Sequence, residues 1–161
     1  MNRLVSGAVA GAAGTLALDI AGYLDMVVRG RSASSLPAEL IRRIAEDAGI
    51  EQLSAPDDKS DDATKNRRSA LGALSGYGVG ISIGMLYGAA SPVLTRVPFL
   101  MKAIVVGGLA MAAADVPLTT FDLTDPRTWG TVGWLSDIIP HAAYGLITVA
   151  AVDGIAKNES G

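Results

Sequence analysis

Apolar and small residues fall into four long blocks along the chain, at about 4–28, 69–94, 99–116 and 133–155, separated by segments in which polar and charged residues dominate. Each block is long enough to cross, or nearly cross, a hydrocarbon core of about 30 Å at about 1.5 Å per residue. The second block is the most regular, with Gly72, Gly76, Gly80, Gly84 and Gly88 at every fourth position. In water such a segment is a poor helix, because each interior glycine costs about 1 kcal/mol relative to alanine. In hydrocarbon, unsatisfied backbone groups are so costly that the helix is enforced, and small residues at i, i+4 let a second helix approach closely. The pattern predicts an all-α, polytopic membrane fold of one domain with four transmembrane helices, the second of them a glycine zipper.

Between the first and second blocks the period changes character. Leu36, Leu40, Ile41, Ile44 and Ala48 share one helical face, while Glu39, Arg42, Arg43, Glu46 and Asp47 occupy the others. This predicts a short amphipathic helix over about 36–48, started at Ser35 and Pro37, stopped at Gly49 and lying on the bilayer surface. The stretch 54–66, SAPDDKSDDATKN, has no apolar period and carries four aspartates, so a mobile acidic loop is expected there. It lacks the alternating oxygen ligands and closing glutamate of a calcium loop. Pro117 is expected to end the third span. Arg3 ahead of an alanine-rich run also begins a signal-peptide pattern, but the apolar stretch continues well beyond the roughly 7–15 residues of such segments, and a membrane span is expected instead.

Composition supports the lipid reading. Of 161 residues, 50% are hydrophobic and only 18% charged, and the net charge of −3 gives no electrostatic basis for a nucleic-acid partner. The bilayer is the expected partner. Cysteine is absent, which excludes disulfides, thiolate metal sites and cysteine nucleophiles. Four spans place both termini on one side. Nine of the thirteen basic residues lie on the opposite side, with the first and third loops, so the positive-inside rule places those loops in the cytoplasm and the termini outside.

Candidate chemistry concentrates in the last span. Asp137, His141, Tyr144 and Thr148 are spaced i, i+4, i+7, i+11 and form one polar stripe on an otherwise apolar helix. Pro140 cannot donate to the carbonyl of Ser136, which predicts a kink beside Asp137. Following the direction of each span, Asp25, Asp115, Asp137 and His141 all fall in the loop-side half of the bilayer, with Asp19 near the midplane. Ionisable groups in hydrocarbon persist where they face protein or a water-filled cavity. The four spans are therefore expected to enclose a polar vestibule with Arg29, Arg31, Arg67 and Arg68 at its mouth, and with Asp19, Asp115, Asp137, His141 and Tyr144 as the proton, ion or ligand site. Asp153 and Lys157, four apart, are expected to form a surface pair.

Two stretches, 21–35 (AGYLDMVVRGRSASS) and 137–145 (DIIPHAAYG), resemble a group of small, uncharacterised four-span membrane proteins of high-GC bacteria. The resemblance implies a bacterial inner-membrane location and brings no activity with it.

Three functions fit these residues. One is a small homo-oligomeric channel or transporter for protons or cations, because a mixed carboxylate and imidazole cluster exchanges protons near neutral pH. Another is a non-catalytic accessory or assembly subunit whose glycine faces dock onto a larger membrane complex. The third is a divalent-metal or cofactor site with Asp137 and His141 as candidate metal ligands; no particular cofactor is implied. The sequence holds no nucleophile elbow, phosphate loop or paired-histidine metalloprotease motif that would point to an enzyme.

Overall fold

A run of some twenty apolar residues has one way to satisfy its backbone in hydrocarbon, which is to bond to itself as a helix. A computed structural model describes residues 2–158, and its helices are α1 (Arg3–Arg29), α2 (Leu36–Asp47), α3 (Glu51–Ser54), α4 (Asp62–Ala90), α5 (Phe99–Thr120) and α6 (Gly130–Asn158), with no strand among the described residues. Four of them, α1, α4, α5 and α6, are long and apolar enough to cross a membrane, with mean hydropathy of 1.4 to 1.8 over their most apolar windows. No more than 33% of those windows is buried inside the protein. Val28 on α1, Leu86 on α4 and Ile104 on α5 are 82%, 69% and 65% exposed, a surface that belongs against acyl chains. The fold is all-α and polytopic.

Helix ends follow local chemistry. The Asn2 side chain accepts from Leu4 N at 2.9 Å, and Asp61 accepts from Thr64 N at 2.8 Å, each capping a helix start. Gly30 takes φ 63 after Arg29, a left-handed stop that suits glycine. Two boundaries differ from the sequence expectation. The fourth helix begins at Asp62, ahead of the glycine run. Pro117 lies inside α5, which continues to Thr120: the missing N–H frees only the carbonyl of Ala113, and Leu118 is buried beyond it.

The segment expected as a mobile acidic loop is organised around Arg68. That side chain is 2% exposed. It donates to Leu53 O at 2.8 Å, Asp57 Oδ1 at 2.8 Å, Ser60 Oγ at 3.1 Å and Ala55 O. A guanidinium presents five donors in a fixed fork, and a short polar segment supplies enough acceptors to fold around it.

In the bundle, α1 packs against α4 and α6, while α5 packs chiefly against α6. Close approach is made by facing glycines. A methyl group built on Gly84 of α4 would lie 2.7 Å from Gly11 N, and one on Gly7 would lie 2.8 Å from Met85 Cα. Between α5 and α6, a methyl on Gly145 would lie 2.8 Å from Gly107 N. The five-glycine run is not one seam. Gly80, Gly84 and Gly88 meet α1, Gly72 meets Pro37 at the start of α2, and Gly76 has nothing within 4 Å. Helix α2 lies against α4, with Ala45 only 2% exposed. Its polar face is laced by Arg42, which bonds Glu39 Oε1 at 2.8 Å through Nε and Glu46 Oε2 at 3.2 Å. The Arg42 hydrogen bond holds the Glu39 carboxyl below the usual glutamate range.

Candidate functional site: a one-sided polar vestibule

The loop-side ends of α1, α5 and α6 converge because the bundle runs α1 and α5 toward the loops and α6 away from them. Two guanidinium groups stand at this end. Arg29 Nη2 donates to Asp25 Oδ2 and to Ser136 Oγ, each at 2.5 Å, and Arg31 Nε donates to the same Asp25 oxygen at 2.6 Å. One carboxylate thus anchors two arginines, and Arg29 ties the end of α1 to the start of α6.

A cavity of about 460 Å³ opens beside these arginines and reaches the Asp115 and Asp137 side chains. Its apolar wall comes from Leu36, Leu118, Val132 and Trp129. At about 1.5 Å per residue, Asp115, Asp137 and His141 lie roughly 7 to 17 Å along their helices from the loop-side ends, within the span. His141 Nδ1 sits 2.8 Å from the Asp137 carbonyl and 3.1 Å from Asp137 Oδ1. A carbonyl can only accept, so Nδ1 carries the proton. The other carboxylate oxygen, Asp137 Oδ2, is buried without a hydrogen-bond partner, and Asp115 lines the same cavity as Asp137. Two carboxyl groups lining one low-dielectric cavity favour a proton or a cation beside them.

The remaining residues of the predicted site are placed elsewhere. Asp19 accepts from Tyr77 Oη at 2.8 Å between α1 and α4, apart from the cluster. Tyr144 and Thr148 leave the stripe to close the bundle centre. Tyr144, 1% exposed, donates to Gly80 O at 2.6 Å, and Thr148, fully buried, donates to Ala10 O at 3.5 Å. The space for them is made by Gly14 and Gly80, where an added methyl would meet Thr148 Oγ1, Thr15 Oγ1 or the Tyr144 ring. At the mouth, Arg29 and Arg31 line the cavity, whereas Arg68 is committed to the 53–60 segment. Among the described residues no group of three or more His, Asp or Glu side chains is arranged to hold a metal ion.

No family model, curated protein or solved structure matches the chain.

One polar cluster escaped the sequence reading. Asp153 accepts from Tyr87 Oη at 3.1 Å and pairs with Lys102 Nζ, joining α6 to α4 and α5 near the terminal side. Lys102 is one of the few cations inside a span, and that was its signal. Spacing along α6 pointed Asp153 to Lys157 instead, because a cross-helix partner leaves no mark on the helix's own period.

Proposed function

We propose that this is a small multi-pass membrane protein that takes up a proton or a small cation from the loop side and holds it at Asp115 and Asp137, with His141 orienting the second carboxylate. The observation that carries this reading is that Asp115 and Asp137 line one cavity within the span, with Asp137 Oδ2 buried and without a hydrogen-bond partner. In a low-dielectric site two adjacent carboxylates cannot both stay charged without a cation. Beyond the cluster the bundle is dry: Tyr144, Thr148 and Val149 are at most 1% exposed. A single chain is therefore open to one side and closed to the other, and conduction requires either rearrangement of the Tyr144 layer or a pathway completed by further copies.

The orientation with loops one and three in the cytoplasm, and a bacterial inner membrane as the compartment, belong to this proposal and rest on the basic-residue count and the sequence resemblance. Liposomes carrying the protein and an internal pH dye test it. Proton or cation flux that is lost in Asp115→Asn and Asp137→Asn and reduced in His141→Ala is expected. Wild-type flux in all three variants would reject the reading.

A second reading, docking onto another copy or a larger complex, is favoured by a different face. Gly22 and Gly76 have nothing within 4 Å, and among the described residues the neighbouring Asp19 is held by Tyr77. An acid near the midplane gains from a helix that covers it. Affinity purification in mild detergent separates the two cases by whether a stoichiometric foreign chain is retained.

A further inference from the structure

The vestibule carries opposite charges at its two ends, and that pairing selects a class of ligand. At the mouth, Arg29 and Arg31 share one counter-ion, Asp25, which leaves one net positive charge. Among the described residues, Arg29 donates through Nη2 and Arg31 through Nε and Nη1, so Arg29 Nε and Nη1 and Arg31 Nη2 remain for an anion. Charge-assisted, forked bonds of this kind suit a phosphate. Deeper in the same cavity the lining carries two carboxyl groups, Asp115 and Asp137, which suit a cation that can donate hydrogen bonds. The two ends are close: Arg29 is bonded to Ser136, the residue before Asp137.

Between them runs the apolar wall of Leu36, Leu118, Val132 and Trp129. Val132, which lines the cavity, is 60% exposed, on a surface of the span that acyl chains reach. We propose that the vestibule binds the headgroup of an ethanolamine phospholipid, its phosphate on Arg29 and Arg31 and its primary ammonium between Asp115 and Asp137, with the chains leaving along the apolar wall. This rests on the reading of Asp115 and Asp137 as a cation site and names the cation as a lipid ammonium. The head of such a lipid is a phosphate and an ammonium two carbons apart, so its charge order matches that of the cavity. A choline headgroup has the same charges but no N–H to donate to the carboxylates. A glycerol headgroup has no cation at all.

The full chain, delipidated in detergent and titrated with phosphatidylethanolamine, phosphatidylcholine and phosphatidylglycerol of identical acyl chains, provides the test by native mass spectrometry. Phosphatidylethanolamine is expected to bind about tenfold tighter than either of the others, the size of a change of about 1.4 kcal/mol. Asp137→Asn should erase that preference, with Asp115→Asn as the second variant should the first fail to fold, and Arg31→Gln should weaken all three lipids together. Equal binding of the three lipids, or tighter binding of phosphatidylglycerol, would overturn the proposal, the latter marking a plain anion site on the arginines. Displacement of the lipid by free phosphoethanolamine at equal concentration would overturn the lipid as ligand in favour of a soluble zwitterion. Flux assays on the same preparation keep the two readings separate. Intact carboxylate-dependent flux without headgroup preference removes only the lipid, and headgroup preference without flux removes only the transport.

Discussion

The hydroxyl of Tyr144 on α6 donates to the carbonyl of Gly80 on α4 at 2.6 Å, across the centre of the bundle. These two helices otherwise make little contact, since α1 runs between them for most of its length. The bond forms because Gly80 and Gly14 leave room for the aromatic ring. It marks the level at which the vestibule ends and the dry core begins.

Tyr144→Phe removes this donor and keeps the ring. The expected cost is about 0.5–1.5 kcal/mol of stability, the range for one hydrogen bond, read as a lowered unfolding midpoint in detergent titrated with denaturing surfactant. An unchanged midpoint would mean that the hydroxyl contributes nothing to holding α4 and α6 together.

The glycines of α4 should divide into two kinds. A side chain at Gly84 meets backbone of α1 at under 3.0 Å, so Gly84→Ala forces the helices apart and should cost on the order of 1–3 kcal/mol. Gly76 faces open space, and Gly76→Ala should leave the isolated chain's stability within about 0.5 kcal/mol. Equal effects at the two positions would contradict the packing described for α1 and α4.

Arg68→Ala should release the 53–60 segment, because four acceptors lose their common donor. Tryptic cleavage after Lys59 is expected to accelerate by about tenfold or more, while Arg67→Ala leaves it unchanged. The α4 helix from Leu71 onward should be unaffected, and its circular dichroism signal provides the control.

Acid should loosen α2 through Glu39. Its carboxyl is held below the ordinary value of 4.5 by the Arg42 hydrogen bond, so the stabilising contribution is complete above that value and is lost as pH falls through the depressed one. Amide chemical shifts of α2, followed by NMR from about pH 6 down to about pH 3, should show a step below 4.5 that Glu39→Gln abolishes. A step centred above 4.5 would assign the titration to another group.

The number of spans and their direction were legible in the sequence, because hydropathy and helix length are local properties that each segment carries alone. Span direction also placed Asp115, Asp137 and His141 in one half of the bilayer. Angular position decided the rest. Asp19 has the same chemistry as Asp115, yet it faces Tyr77 between α1 and α4, since the close contacts of Gly7 and Gly11 with α4 set the rotation of the first helix. Arg68 follows Arg67 in an equally basic pair, and only the folded 53–60 segment makes one of them buried.

The sequence by itself determined that lipid is the solvent, that four helices cross it and that their acids must find polar company. Only the tertiary structure decided which acid meets which partner. A helix fixes the spacing of side chains along its own axis, but its rotation and its neighbours are set by where backbones can touch, and those contacts join residues far apart in the chain.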